Sequence, residues 1–303
     1  MKVFVLGCGS IGRRHIGNLL SLGQEVYCYD KDAAKMEKVI SDFSAHATAA
    51  LPPSLTRSMV KVYNYTSQHI PMDAWIICCP PELHVGFAML ALQSNCHVFI
   101  EKPISHALIT PEGSVEELIA LAHEKKRVLQ VGYQLRFSSG LQKVKQMIDE
   151  KHFGEMIHVY AEYGMYLPDW HPMEDYRQGY TAYTGITLDA SHEINYVQWF
   201  VGSKVIEVKG MINNLNPLGI PADSCTDMLL RFDNGVTANI HLDMLQRTPY
   251  RACRIIFERG EMPFRLLSER EDLYVKEMQG FLDCIQGNKK PVVTGEESLE
   301  TLR

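Results

Sequence analysis

Three groups of residues in this 303-residue chain have the types and spacing to do chemistry. The first is Gly7-Cys8-Gly9-Ser10-Ile11-Gly12, a G-x-G-x-x-G run that follows a short apolar stretch, Lys2 to Leu6, and opens a helix-like segment reaching Leu22. Glycines are needed there because the backbone must turn tightly and approach a pyrophosphate, whose charge then rests on the amides of Ser10, Ile11 and Gly12 at a helix N-terminus. Asp30 ends the next apolar run, 18 residues after Gly12. A carboxylate at that place accepts hydrogen bonds from ribose hydroxyls and repels a 2'-phosphate, so NAD is favoured, while Lys31 beside it softens the repulsion and keeps NADP open.

The second group is Glu101-Lys102-Pro103, directly behind the apolar run Cys96 to Ile100. If that run is a central parallel strand, Glu101 and Lys102 emerge at its carboxyl end, on the nicotinamide side of a dinucleotide crevice, where an ammonium can donate to a substrate hydroxyl or carbonyl. Pro103 has the option of a cis bond. Cys79, Pro80 and His84 end a neighbouring run, Ala74 to Cys79, and belong to the same edge; a capping or solvated role for His84 is the plainer alternative. The third group lies in "DASHEINYVQWFVG", 189 to 202, which has a helix period. Ala190, Ile194, Val197 and Val201 share one face, and Asp189, His192, Glu193 and Tyr196 share another. An acid and a histidine three apart on one helix can orient each other, and imidazole exchanges protons near neutrality. Asp189 as a helix cap beside a satisfied His192 is the alternative. These acids and the distant His171 do not make a close His/Cys cluster or an H-E-x-x-H, so no metal is expected.

The elements that must hold these groups alternate strand and helix through the first third, with further strands at 74–79, 96–100 and 128–132 and a helix near 112–126. This pattern predicts a doubly wound parallel sheet of α/β class, residues 1–132. From residue 133 to 303, after an amphipathic helix near 141–151, strands at 157–163, 205–212, 225–232, 236–244, 251–258 and 262–267 recur, with the helical 189–202 between them, and Asp233-Asn234-Gly235 reads as a hairpin turn. This predicts an α+β domain with an open, mostly antiparallel sheet, one face on substrate and the other on a neighbouring subunit, as a homodimer or homotetramer. A formal charge of −6 and no basic run longer than Lys125-Lys126-Arg127 argue against nucleic acid. No stretch approaches the ~18 to 20 apolar residues of a membrane span, and a cytoplasmic protein with reduced cysteines is expected.

Together, "VLGCGSIGRRHIGNLLSLG" (5–23), "MDAWIICCPPELHVGFAMLALQSNCHVFIEKPIS" (72–105), "VGYQLRF" (131–137) and "LDASHEINYVQWFVG" (188–202) resemble the Gfo/Idh/MocA family of oxidoreductases, named for glucose-fructose oxidoreductase, inositol dehydrogenase and rhizopine catabolism. The resemblance implies an N-terminal Rossmann domain and hydride transfer between a nicotinamide and a hydroxyl or carbonyl carbon of a sugar or polyol. Lys102 matches the family's catalytic lysine, His192 its catalytic histidine and Asp189 its partner acid, although many members place that acid four residues before the histidine, where Leu188 stands here. The match at 131–137 makes Tyr133 and Arg136 candidates for substrate binding. The run 165–182 resembles a branch found in bacterial surface-sugar pathways, and its Tyr166, Trp170, His171 and Arg177 suit a polar ring, with Arg177 able to pair a carboxylate or phosphate; a loop between subunits is the alternative. The same fold hosts glycosidases that use NAD transiently and regulators that bind the dinucleotide without chemistry, and these are the rival readings. "GEESLETLR" ends the chain barely two turns into a helix where family members continue, which raises the expectation of a shortened C-terminus.

Overall fold

Apolar runs that are buried on both faces become the strands of a parallel sheet. In the computed structural model, residues 1–46, 60–62, 71–170, 180–181, 183–213, 217–266, 270–287 and 289–303 are described, and they form two compact units, Met1–Gln134 with Arg270–Arg303, and Leu135–Glu269. The first unit begins β1 (Lys2–Leu6), α1 (Ser10–Ser21), β2 (Glu25–Tyr29), α2 (Ala33–His46), β3 (Val60–Val62), β4 (Ala74–Ile77), α3 (His84–Gln93) and β5 (His97–Glu101). A small hairpin, β6 (Ile109–Thr110) and β7 (Gly113–Ser114), leads into α4 (Val115–Lys125) and β8 (Leu129–Gly132). The sheet order is β3-β2-β1-β4-β5-β8, all parallel, so the order reverses beside β1. That reversal is where a ligand crevice opens in a doubly wound sheet. Ser114 and Glu117 close a capping box at the start of α4, and its Val115, Leu118, Ile119 and Ala122 face the core, as their spacing predicts. On α3 the buried face is Val85, Ala88 and Leu92, while Leu83 is exposed.

The chain returns to this unit at its end, whereas the sequence pattern assigned 133–303 to a second domain. Helix α9 (Arg270–Ile285) sets Met278, Phe281 and Leu282 into the same apolar cluster as Val3, Ile16 and Phe99. Helix α10 (Gly295–Leu302), capped by Thr294 and Glu297, sets Leu299 among Leu118, Ile119 and Leu129, and the Val131 N–H donates to the Val293 carbonyl at 3.1 Å. An amphipathic period shows that a helix has a core face, not which core receives it.

The second unit carries α5 (Ser139–Asp149), β9 (Met156–Tyr166), the short α6 (Leu167–Trp170) and α7 (Ile186–Asp189), α8 (Ser191–Val201), and β10 (Val205–Asn213), β11 (Cys225–Phe232), β12 (Thr237–Asp243), β13 (Leu245–Phe257) and β14 (Gly260–Arg265). Its sheet order is β10-β11-β12-β9-β13-β14, antiparallel except for the parallel β12–β9 pair. The sheet is therefore mixed. Gly235, at φ +87°, makes the β11–β12 hairpin turn, a left-handed conformation that glycine adopts without a Cβ penalty. Along β9, Val159 and Ala161 point inward and Tyr160 and Glu162 outward, the alternation of a half-covered sheet. Among the described residues no helix is long and apolar enough to cross a membrane.

The sequence gives α8 one packing face and one chemical face, but the structure buries Ser191 through Val197 and Phe200 nearly all round. Glu193 survives there because Arg251 meets it, Nε to Oε1 at 2.8 Å, and Arg251 lies over the Tyr163 ring at 3.8 Å. Breaking one half of a buried pair leaves an uncompensated charge. Glu193→Ala should therefore lower the unfolding free energy by about 3 to 5 kcal/mol in urea denaturation; a loss below about 1 kcal/mol would show that the pair contributes little.

Candidate functional site

The glycine loop sits at the carboxyl end of β1, and its three glycines are required for different reasons. Gly7 has φ +94°, and a Cβ on it would come within 2.6 Å of the Cys78 carbonyl oxygen. At Gly12 a Cβ would lie 1.8 Å from the Gly7 carbonyl oxygen, so helix α1 can approach the loop only without a side chain. Gly9 is different, because a Cβ there meets nothing within 4 Å. Gly9 is also the N-cap of α1, with no side-chain cap and no acid in the first turn, and the next residues are the exposed Ser10 and the half-buried Ile11. Free helix amides and uncluttered space above them make a place for an anion. Asp30, at the end of β2, accepts from the Cys8 N–H at 2.7 Å and the Asp32 N–H at 2.9 Å, through different oxygens. Each carboxylate oxygen keeps a second lone pair, so Asp30 ties down the loop and can still receive a ribose hydroxyl. These residues fit a dinucleotide.

At the end of β5 the chain places Glu101 inside and Lys102, half-buried, after it, and the Lys102–Pro103 peptide is cis. The Glu101 carboxylate is not presented to a cofactor as the sequence suggested. It meets the His15 Nε2 at 2.6 Å, beneath the surface, and its carboxyl passes beside Gly132 on β8, 3.2 Å from where a Cβ would be. His84 is likewise drawn inward. It is fully buried, with Nδ1 2.9 Å from the Pro103 carbonyl and Nε2 2.8 Å from the Cys79 carbonyl, which leaves no ring nitrogen for a cofactor. Burial pushes its pKa down against the pull of both carbonyls. His84 thus lies between the end of β4 and the turn after Lys102, and as a neutral imidazole its single N–H donates to one of the two carbonyls. Burial also raises the thiol of Cys78, with Glu101 adding to it, and that of Cys79, to about 12, so neither is a thiolate nucleophile at neutral pH. Pro80 is exposed beside them.

In the second unit His192 stands in the first turn of α8 and is buried, but Asp189 is the last residue of α7. Ala190 between them has left helical geometry (φ −95°, ψ 26°), so Asp189 and His192 do not share the face of one continuous helix. Asp189 accepts from the Tyr180 hydroxyl at 2.8 Å, and burial followed by Asp189 itself raises the Tyr180 pKa. Asp223 holds α7 in place, accepting from the Thr187 N–H at 2.9 Å and its hydroxyl at 2.6 Å. Two proposed substrate groups are structural instead. Tyr133 lies in the apolar core of the first unit, and Arg136 is buried against Trp199, 4.2 Å from the ring centre, with its Nη1 donating to Asn195 Oδ1 at 3.2 Å. Tyr166 ends β9 under the Arg247 guanidinium, 3.6 Å from the ring centre. His171, Arg177 and the side chain of Trp170 lie outside the described residues.

Two residues that sequence reasoning missed are His15 and Glu277, both wholly buried and both near Glu101. A signal for the second was present: Leu273, Glu277 and Phe281 recur every fourth residue on one helix stripe, so an acid occupies a core position. A second group of metal-ligand type, Cys225, Asp227 and His241, lies on the outer face of the other sheet. There both His241 nitrogens already meet carboxylates, Asp227 at 2.7 Å and Asp243 at 3.1 Å. The glycine loop gives a direct test. Gly9→Ala should leave the melting temperature unchanged and weaken NAD binding by roughly 1.4 kcal/mol or more, tenfold, in calorimetric titration, whereas unchanged affinity would show that the space above Gly9 is not used.

Residues 1–133 match the family description "Oxidoreductase family, NAD-binding Rossmann fold", and residues 141–262 match the "GFO/IDH/MocA C-terminal domain". Inositol 2-dehydrogenase 2 of Paenarthrobacter aurescens is 23% identical over 328 residues, covering 98% of this chain and 91% of that protein. With some other curated inositol dehydrogenases the chain aligns over about half of their length, 53% in one case. Among solved structures, myo-inositol 2-dehydrogenase of Lactobacillus plantarum superposes with a TM-score of 0.82 at 18% identity, covering 100% of this chain and 94% of that one. The WlbA dehydrogenase of Bordetella pertussis, in complex with NADH and UDP-GlcNAcA, gives 0.82 at 20% identity, covering 100% and 92%. With its N-terminal and C-terminal domain models matched in order along the chain, the protein belongs to the GFO/IDH/MocA family of oxidoreductases and carries that family's NAD-binding Rossmann domain.

Proposed function

We propose that the protein is an NAD-dependent oxidoreductase acting on a CH–OH group of a sugar, polyol or sugar derivative, with Lys102 and His192 handling the proton. The observation that carries this reading is the glycine cradle, in which Gly9 faces open space above the first amides of α1 while Asp30 stands at the next strand end. Nicotinamide, when bound, supplies the hydride chemistry. The chain's own contribution is to bind, orient and move the proton. Asp30 selects the ribose that lacks a 2'-phosphate, which favours NAD over NADP. Lys102, held at the carboxyl end of β5, donates to the substrate oxygen and steadies the charge that develops there. His192 exchanges the hydroxyl proton, and Asp189, tied to Tyr180, supports that face of the second unit.

The relatives point to the substrate class: two are named for inositols, and another was solved with a nucleotide sugar acid. We assign this chain a cyclic polyhydroxylated substrate, and its Arg177 and His171 to the substrate's polar end. The outer face of the second sheet, a concavity of about 830 Å³ where Met211, Leu229 and Tyr160 are exposed, supports a homodimer or homotetramer formed through that sheet. A cytoplasmic location belongs to the same reading.

Lys102→Ala should cut turnover by about 10² to 10⁴-fold while the affinity for NAD stays within twofold, measured by nicotinamide absorbance and by titration calorimetry; undiminished turnover removes the lysine from the mechanism. Lasting accumulation of reduced nicotinamide is expected, and its absence during sugar release would indicate the glycosidase reading instead. Asp30→Ser should lower the NAD over NADP preference by roughly tenfold or more, about 1.4 kcal/mol, and an unchanged ratio would place selection elsewhere.

A further inference from the structure

Behind Lys102 the first unit encloses three titratable side chains that neither the glycine loop nor the proton chemistry uses. His15 comes from α1, Glu101 from the end of β5 and Glu277 from α9, and atoms of the three that could hold a cation or proton lie within 4.8 Å of one another. His15 and Glu277 are 0% exposed and Glu101 is 8%. His15 Nε2 meets Glu101 Oε1 at 2.6 Å, while neither carboxyl oxygen of Glu277 has a hydrogen-bond partner among the described residues. Aromatic rings seal the cluster: the His15 ring lies edge-on to Phe99 at 5.4 Å and to Tyr274 at 5.8 Å, and Phe99 meets Phe281 at 5.7 Å.

Two carboxyl groups this close and this dry cannot both be ionised, because each buried charge costs several kcal/mol unless it is paired. Only Glu101 has a partner. Glu277 is therefore the neutral acid, and the Nδ1 of His15 is buried with no hydrogen-bond partner among the described residues. The other ionisable groups around Glu277 do not offer it a positive charge: Cys78 at the end of β4 is itself a thiol raised by burial and by both glutamates, and Arg14 of α1 lies 4.8 Å over the Tyr274 ring. Burial, followed by Glu101, raises the Glu277 pKa well above the ordinary carboxyl range. A metal ion fits less well, since 2.6 Å between His15 and Glu101 is a hydrogen bond and not the spacing of two ligands on one ion.

We propose that Glu277 is a positioning residue for the reaction: kept neutral, it leaves the contact between Glu101 and His15 undisturbed, and with it the end of β5 that presents Lys102, whereas an ionised Glu277 would repel Glu101 from that place. The proposal rests on the reading of Lys102 as catalytic. Its physical content is the absence of a second charge: α9, arriving from the far end of the sequence, sets an acid beside the residue that precedes the lysine, which leaves Glu101 in place only while Glu277 carries its proton.

The sign of the pH effect follows from the raised pKa. In the unfolded chain Glu277 ionises near the ordinary value of about 4.3, whereas in the fold it keeps its proton, so the fold loses stability as pH rises above that value. Glu277→Gln keeps the shape and removes this cost. The ratio of folding constants, variant over wild type, should rise about tenfold per pH unit above about pH 5 until Glu277 ionises in the fold; melting curves that run parallel at every pH overturn the proposal. Lys102 itself is followed through its reductively ¹³C-methylated amine by NMR, the resonance assigned by its loss in Lys102→Arg. In Glu277→Gln that resonance should coincide with wild type, and in Glu277→Ala it should move, with kcat falling at least tenfold at constant KM. If Glu277→Ala does not fold, Glu277→Met provides the same comparison. A resonance and kcat that ignore both variants reduce Glu277 to a packing residue and defeat the proposal. One equivalent of divalent metal per chain, lost in Glu277→Gln, would also overturn it. Absence of turnover in the wild type on every polyol or nucleotide sugar would sink the functional reading alone, since the stability and NMR measurements need no substrate.

Discussion

The first unit depends on how a negative charge is kept out of water at the end of β5. Glu101 is buried there, on a strand that lies between β4 and β8, with its carboxyl beside Gly132 of β8. A lone buried carboxylate is costly, and His15 offsets that cost with a short hydrogen bond. Helix α1 therefore serves two tasks in twelve residues. Its N-terminal amides lie under the glycine loop, and its sixth residue, His15, reaches the strand end from which Lys102 emerges. The cofactor cradle and the lysine are thus set by the same helix, and the spacing between them is fixed by the sheet.

Around this point the strand ends are tied to one another by backbone groups. The Gly7 N–H donates to the Tyr29 carbonyl at 2.9 Å, the Cys8 N–H to Asp30, and His84 joins the carbonyls of Cys79 and Pro103. Loops at the carboxyl ends of parallel strands carry the chemistry in such sheets, and a rigid scaffold under them keeps the reacting groups preorganised. The second unit uses a different device. Its helix α8 is buried nearly all round, and two of its polar residues meet arginines there, Glu193 with Arg251 and Asn195 with Arg136. His192 is buried in the same helix.

What could be read from the residues alone was whatever is decided locally. The glycine spacing, the acid at the end of β2, the strands of the parallel sheet and the hairpin at Gly235 each follow from a few adjacent residues and a backbone requirement. The fates of His84, Glu101, Tyr133 and Arg136 were not legible, because each is settled by a partner distant in sequence, and a polar side chain near a strand end looks the same whether it faces a ligand or a carbonyl. The break at Ala190 escaped notice for a related reason: the apolar period of 189–202 continues through it, although the backbone turns. The return of α9 and α10 to the first unit was hidden as well, yet the acid in the middle of α9's apolar stripe was a readable sign that something in a core was waiting for it.

Isotope tracing is the most direct test of hydride transfer by this fold. With NAD and inositols or nucleotide sugars that carry deuterium on the ring carbons, at least one donor is predicted to pass its label to the nicotinamide, seen by mass spectrometry in the reduced cofactor. Cofactor that is demonstrably bound but stays unlabelled with every donor would contradict it.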